Sequence, residues 1–272
     1  MKKTAKILAS AAVVAAMSAG VLGSFVVPAN AATPSPAPEI IGGQKASNPW
    51  AFQLATVDRS TGNGQLCTAE ALSNSWVLTA KHCVLKDPND TTSVAAAADI
   101  FIVKTNNTAD IQDPAKRVFA DQVKVWSGGD LALVHVGTSN GLSSYPTIGA
   151  SYTPKASDAG VIQGYGLRKE GGIPSCPIEP VRADWLYKAN VTVQKASTDA
   201  YGGTAILVKG VNGIANHGDS GGPLTLASSP NQIIGVTSNG PGNCSSSTTS
   251  TVNYTNVTLT APRAWIKATA GV

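Results

Sequence analysis

Beyond residue 39, apolar positions come in short runs separated by polar clusters. The runs are Trp50–Val57, Trp76–Thr79, Ile100–Lys104, Gln122–Trp126, Leu131–Val136, Gly160–Gln163, Ala189–Val193, Ala205–Val208 and Gln232–Val236. Between them stand turn signals: Thr61-Gly62-Asn63-Gly64, Asp87-Pro88-Asn89-Asp90, Ser127-Gly128-Gly129 and Lys169-Glu170-Gly171-Gly172. Short runs bounded by Gly, Asn, Asp and Pro predict strands, and many of them without alternating helices predict an all-β sandwich or barrel. A further apolar stretch, Ala71 to Ala80, also reads as strand, whereas the Thr, Ser and Gly crowding Ser238 to Ser250 predict a long surface loop. The exception lies at the end. Pro262 to Ala268 reads P-R-A-W-I-K-A, which predicts a helix with Pro at its first position. No fixed repeat is visible.

The first 39 residues follow another logic. Lys2, Lys3 and Lys6 precede an apolar stretch from Ile7 to Val27, and Ala29-Asn30-Ala31 supplies small residues for cleavage. Residues 1–31 therefore read as a secretory signal peptide. Thr33 to Glu39 is T-P-S-P-A-P-E, an extended segment without packing partners, so residues 32–39 read as a linker or short propeptide. No later run reaches membrane-spanning length. The expectation is a secreted, extracellular, soluble monomer comprising residues 40–272.

Composition narrows the field. Hydrophobic residues make up 43% and charged residues 13%, which excludes a disordered charged chain. Gly (27) and Pro (16) against 6% aromatics suit a turn-rich β protein. From a net charge of +4, removing the three leader lysines and Glu39 leaves +2, too little and too scattered for nucleic-acid binding.

An exported chain with four cysteines suggests two disulfides. Four cysteines allow three pairings. Cys67 and Cys83 are close in sequence, and pairing them, a bond worth about 3 kcal/mol if unstrained, leaves Cys176 with Cys244. There is no C-x-x-C zinc spacing and no calcium-loop motif, so neither metal nor cofactor is expected.

The chain has three histidines. His82 ends an apolar run in Thr79-Ala80-Lys81-His82-Cys83. Asp130 begins one in Gly129-Asp130-Leu131-Ala132-Leu133-Val134. Ser220 lies in Gly218-Asp219-Ser220-Gly221-Gly222-Pro223. Each alone reads as a turn, cap or surface residue. Together they hold what acyl transfer by serine requires: a nucleophile, a base, a carboxylate to orient the base, and a Gly-rich backbone that can aim N–H groups at an oxyanion. His135, within an apolar strand, reads as structural.

These motifs resemble those of the chymotrypsin-like (trypsin-fold) serine peptidases. The T-A-x-H-C, D-[IL]-A-L-[LV] and G-D-S-G-G-P patterns match Thr79–Cys83, Asp130–Val134 and Gly218–Pro223. The I-[IV]-G-G start matches Ile40–Gly43, a weaker G-[WY]-G matches Gly164–Gly166, and the resemblance runs from Ile40 to about Lys267. The Ala-rich leader and short propeptide look bacterial.

The resemblance implies two packed six-stranded antiparallel barrels, about 40–150 and 151–260, with a C-terminal helix at about 261–268 and a crossover near Thr147–Asp158. It implies His82, Asp130 and Ser220 as catalytic triad, the backbone N–H groups of Gly218 and Ser220 as oxyanion hole, and the Cys67–Cys83 disulfide as a brace for the His82 loop. It also implies activation by cleavage after Glu39, with the new Ile40 ammonium pairing with Asp219. The family usually has Cys four residues before the nucleophile. Here that position is Asn216, so Cys244 is expected to re-pair with Cys176.

The resemblance places Ile214 at the floor of the primary specificity pocket, with Ser238, Asn239 and Gly240 as one wall, Val252 filling the depth and His217 at the rim. No carboxylate stands on that floor, so a Lys or Arg before the scissile bond would be desolvated without a partner. The expectation is a secreted endopeptidase for protein or peptide substrates, preferring uncharged small or medium apolar residues. The alternatives are a glutamyl-specific endopeptidase using His217, a catalytically inactive protease-fold binding protein, and a structural or surface-adhesion protein.

Overall fold

The computed structural model describes residues 40–59, 62–169, 171, 177, 179–240 and 247–272. The signal peptide and propeptide expected at 1–39 lie outside the described residues, as do Cys176, Cys244 and their expected bond.

Six strands form the first barrel: β1 (Ala51–Asp58), β2 (Asn63–Ala71), β3 (Trp76–Thr79), β4 (Ile100–Val103), β5 (Arg117–Val125) and β6 (Ala132–Val136). They pair antiparallel in the closed order β1-β2-β3-β6-β5-β4. The second barrel contains β7 (Ala159–Gly164), β8 (Tyr187–Thr198), β9 (Thr204–Gly210), β10 (Pro223–Leu226), β11 (Ser229–Asn239) and β12 (Thr251–Asn256). It closes as β7-β8-β9-β12-β11-β10, with β10 returning to β7. Closure gives each of the twelve barrel strands a partner on both sides. A short parallel strand, Thr147–Ile148, ties the crossover to β11 of the second barrel.

Inward-facing residues of the first barrel include Phe52, Leu54, Leu78, Ile100, Ile102 and Leu133, all buried. The second core gathers Ile162, Tyr187, Val191, Ile206, Val208 and Tyr254, and also takes in Ile40 and Ile41. The final helix, α1 (Thr260–Ala270), buries Pro262 and Ile266 and ends at Gly271 in the left-handed region. It starts two residues earlier than Pro262, which occupies its third position, where a missing N–H is as harmless as at the first.

Several strands differ from the sequence expectation, among them β2, which starts inside the expected turn Thr61–Gly64 and whose Asn63–Glu70 part carried no strand expectation. Ala71 to Ala80 is the end of β2, a turn at Leu72–Ser75, and then β3, because Leu72 and Ser73 donate backbone hydrogen bonds to the Trp76 carbonyl and reverse the chain. Neither β10 nor β12 stands out by pattern. The first follows directly on Gly221-Gly222 and the second is built on Thr, Asn and Tyr, yet both are central in the ring. The long loop expected from Ser238 is correspondingly shorter, since β11 runs to Asn239 and β12 begins at Thr251; residues 241–246 lie outside the described residues.

Candidate active site

His82 lies in a single 3-10 turn, Lys81–Val84, directly after β3. Its backbone is fixed from several sides. Cys83 is disulfide-bonded to Cys67 on β2, the Thr56 hydroxyl donates to the Cys83 carbonyl at 2.6 Å, and the Gln65 amide donates to the His82 carbonyl at 3.2 Å. The disulfide consumes both sulfurs beside His82, so this cluster offers no thiolate for a metal.

Asp130 immediately precedes Leu131 and β6 and is wholly buried. Its Oδ1 accepts the His82 backbone N–H at 3.0 Å, and its Oδ2 pairs with His82 Nδ1 at 2.8 Å. The Ser238 hydroxyl donates to the same Oδ2 at 2.6 Å. Burial opposes ionisation, but the hydrogen bond and charge of His82, with the Ser238 hydroxyl, outweigh it and hold the Asp130 carboxyl below its ordinary value. An ionised Asp130 can only accept, so Nδ1 carries the proton and Nε2 is left with a lone pair. The imidazole is thereby set in the tautomer of a base.

Asp199 holds Asp130 from behind. This buried carboxylate, in the turn between β8 and β9, accepts the Asp130 backbone N–H at 2.9 Å and the Thr255 hydroxyl at 2.9 Å through Oδ2. Its Oδ1 accepts the backbone N–H groups of Tyr201 and Gly203 at 2.9 and 2.8 Å. The contact crosses from one barrel to the other.

Ser220 is half-buried at the tight turn before β10. Gly218 and Gly221 have φ of +97° and +82°, conformations that favour glycine. A Cβ on Gly221 would lie 2.1 Å from the Thr79 hydroxyl and 3.0 Å from the Ala80 nitrogen, so the Ser220 turn rests on the strand end that leads into His82. Thr68 fastens it there. Its backbone N–H donates to the Ser220 carbonyl at 2.8 Å and its hydroxyl to the Gly218 carbonyl at 3.0 Å.

Asp219 turns the other way and is buried. Its Oδ1 accepts the Gly166 N–H and its Oδ2 the Asn216 N–H, each at 2.8 Å. Burial pushes its pKa up from 3.8 to about 7 against those two hydrogen bonds. Gly164 and Gly166 explain themselves here: a Cβ on either would lie 2.2–2.5 Å from the Asp219 carboxylate.

The residues expected around a specificity pocket are distributed as follows. Ile214 and Val252 are buried in the second core, and the Ile214 N–H donates to the Ile41 carbonyl at 2.9 Å. Gly240 approaches Val252, whose Cγ2 would be 3.2 Å from a Cβ at Gly240. Ser238 gives its hydroxyl to Asp130. Asn239 is exposed and accepts from Asn253 at 3.3 Å. His217 is exposed. His135 pairs with Asp121 at 2.5 Å and packs edge-on against Trp76, as befits a structural residue. Thr68 and Asp199 escaped the sequence reading. Thr68 had one signal, its place next to Cys67, whereas Asp199 had none.

A family model described as Trypsin matches residues 40–266. Chymotrypsin-like elastase family member 1 of Homo sapiens is 28% identical over 215 residues, covering 73% of this chain and 80% of that protein. Serine protease SP24D of Anopheles gambiae is 28% identical over 204 residues, covering 72% and 70%. Among solved structures, scabies mite inactivated protease paralogue S-I1 superposes with a TM-score of 0.62 at 19% identity, covering 85% of this chain and 99% of that one. Human heparin binding protein gives 0.62 at 18% identity, covering 85% and 96%. At such identities the superpositions bear on the fold alone. With the family match spanning both barrels, the chain belongs to the trypsin family, and it is a serine-type endopeptidase.

Proposed function

We propose that this endopeptidase is exported, loses residues 1–31 and then 32–39, and cleaves peptide bonds through an acyl-enzyme on Ser220. In this reading His82 Nε2 takes the Ser220 proton during attack and returns it to the leaving amine. Asp130 keeps the tautomer and stabilises the imidazolium, and the Gly218 and Ser220 N–H groups receive the oxyanion. The observation that carries the reading is the Asp130–His82 pair at 2.8 Å, with the Ser220 turn fastened by Thr68 against the strand that delivers His82. Export is supported by the Cys67–Cys83 disulfide, a bond of oxidising compartments. The bacterial source read from the Ala-rich leader and short propeptide finds no support in the comparisons, where the relatives are animal proteins.

Activation by a new Ile40 ammonium is supported by Asp219, a buried carboxylate held by two backbone N–H groups, and by Ile40, which is 1% exposed and packed in the second core. The preference for uncharged small or medium apolar residues is supported by Ile214 and Val252, apolar and buried where the family's pocket has its floor and depth. The exposed His217 favours one second reading, cleavage after Glu.

Some structural neighbours are named as inactivated proteases, and a fluorophosphonate probe separates that class from an active enzyme. The processed wild-type chain is expected to label at Ser220, and Ser220→Ala not to label. Absence of labelling in the wild type would overturn the reading. Peptides with Ala, Val, Leu, Phe, Glu or Arg before the scissile bond then test specificity. A preference for Arg would sink the pocket argument, and one for Glu that vanishes in His217→Ala would establish the second reading.

A further inference from the structure

Lys81 precedes His82 and is only 4% exposed, unusual for a lysine. Its Nζ lies 5.0 Å from the centre of the Tyr201 ring. Tyr201 is itself fixed at both ends: its backbone N–H donates to Asp199 Oδ1, and its hydroxyl donates to the Pro88 carbonyl at 2.8 Å. The same Asp199 accepts the backbone N–H of Asp130. The ammonium is therefore confined beside a chain of groups that ends at the His82–Asp130 pair. Burial draws the pKa of Lys81 down, while the charges of Asp130 and Asp199 oppose that shift.

The charges around Lys81 and Tyr201 can be named by element. Lys81 comes from the His82 turn and Asp87 from the turn that follows. Asp130 precedes β6. Asp199 and Tyr201 come from the β8–β9 turn, and burial with the charges of Asp130, Asp87 and Asp199 keeps Tyr201 neutral, its pKa raised to about 12. Asp130 bonds the imidazole directly, and Lys81 and Asp199 are coupled to it through Asp130. The carboxylates favour the imidazolium, which cannot accept a proton; the cation opposes them.

We propose that Lys81 is a positioning residue that keeps His82 available as a base: its charge, held under Tyr201, offsets part of the field of Asp130 and Asp199 and disfavours the imidazolium. The inference rests on the reading of His82 as the base. A purely packing role would need only the aliphatic stem, which Met also supplies.

The test compares processed wild type with Lys81→Met, Lys81→Gln and Lys81→Arg. The acidic limb of the kcat/KM–pH profile is expected to move up in the Met and Gln variants, the direction that loss of one positive charge dictates, by about 0.5–1 unit. On the limb this is a three- to tenfold loss, about one decade per pH unit. Lys81→Arg, which keeps the charge, should restore the wild-type limb. The His82 ring titration, followed by NMR in a Ser220→Ala background, should shift by the same amount without any turnover. A shift in either folded neutral variant supports the proposal; an unmoved limb and an unmoved titration overturn it. Hydrolysis persisting in Ser220→Ala would defeat the triad reading instead, and the NMR titration would still report on Lys81.

Discussion

The backbone N–H of Thr68, on the first barrel, donates to the carbonyl oxygen of Ser220, on the second, at 2.8 Å. The same residue's hydroxyl donates to the Gly218 carbonyl at 3.0 Å and accepts the Tyr165 N–H at 3.1 Å. One buried threonine thus fixes both residues proposed to form the oxyanion hole. Thr68→Val keeps the shape and removes the hydroxyl, leaving a part-buried donor on Tyr165 and a part-buried acceptor on Gly218 without it, at a cost of about 1 kcal/mol or more. We expect a lower Tm and a kcat reduced by at least about tenfold, because a misplaced oxyanion donor is worth on the order of 10²–10³ in rate. An unchanged kcat would show that the Gly218–Ser220 backbone holds its geometry without this tie.

Asp219 sets a pH dependence for the unprocessed chain. Its folded pKa of about 7 lies above its ordinary 3.8 because burial disfavours the charge. A raised folded pKa means that the native state binds the proton more tightly. The stability it contributes is full below pH 3.8 and is lost as pH rises through about 7. At about 1.36 kcal/mol per unit, that window corresponds to roughly 4 kcal/mol. Urea unfolding of the Ser220→Ala precursor from pH 4 to 8 should show this decline. Asp219→Asn should start lower, since its amide faces backbone donors, but decline less steeply, keeping only the share that Glu70 contributes. Cleavage before Ile40 should likewise remove the Asp219 share of the decline, because a buried ammonium would hold Asp219 ionised. An equal decline in the processed form would contradict the Ile40–Asp219 pair.

Glu70 presents a second buried carboxyl. It lies on β2, wholly buried, and neither oxygen finds a hydrogen-bond partner among the described residues. Burial drives its pKa well above the ordinary 4.5, opposed only weakly by the dipole of its own backbone N–H, which makes no proper hydrogen bond to the carboxyl. The sign is that of Asp219: stability is greatest below pH 4.5 and falls as pH rises toward the folded value. Glu70→Met fills a similar volume without the polar atoms. It should raise stability at pH 8 by about 1–3 kcal/mol, the cost of an unsatisfied buried group. The gain should shrink toward pH 4. A uniform loss of Tm across that range would mean that Glu70 has a partner Met cannot replace.

Much of this molecule is readable from its sequence because local chemistry and global fold agree. Trp76–Thr79 emerges as a strand with the bounds its pattern gives, and His82, Asp130 and Ser220 each sit at the strand boundary their motif marks. What pattern misses depends on distant partners. Nothing near Asp199 signals that Asp130, 69 residues earlier, will donate to it. Gly164 and Gly166 stand out only as a weak G-[WY]-G match until the Asp219 carboxylate is seen to occupy the space their side chains would need. Strand β12 escapes because Thr251, Asn253 and Thr255 supply no apolar run. Closure of the ring places it between β9 and β11, where pairing rather than hydrophobicity makes it a strand.

Specificity offers the sharpest test of a single side chain. Val252 is 3% exposed, packs in one cluster with Ile214, and reaches toward Gly240 at the end of β11. If this is the inner end of the primary pocket, its two methyl groups limit the length of the residue that can enter. Val252→Gly removes them and opens space next to Gly240 while leaving Ile214 as an apolar floor. The cavity should lower Tm, since deleting buried methyls costs about 1 kcal/mol or more. The informative quantity is a ratio that cancels any general loss of active enzyme. We expect kcat/KM for a Phe peptide, relative to its Ala counterpart, to rise by about tenfold or more, the scale on which a hydrophobic pocket distinguishes side chains differing by methylenes. Charge selectivity should not change, because the substitution introduces no ionisable group, so an Arg peptide should remain poor. A Phe-to-Ala ratio unmoved in a folded, fluorophosphonate-reactive Val252→Gly enzyme would place the pocket elsewhere and return Val252 to the core of the second barrel.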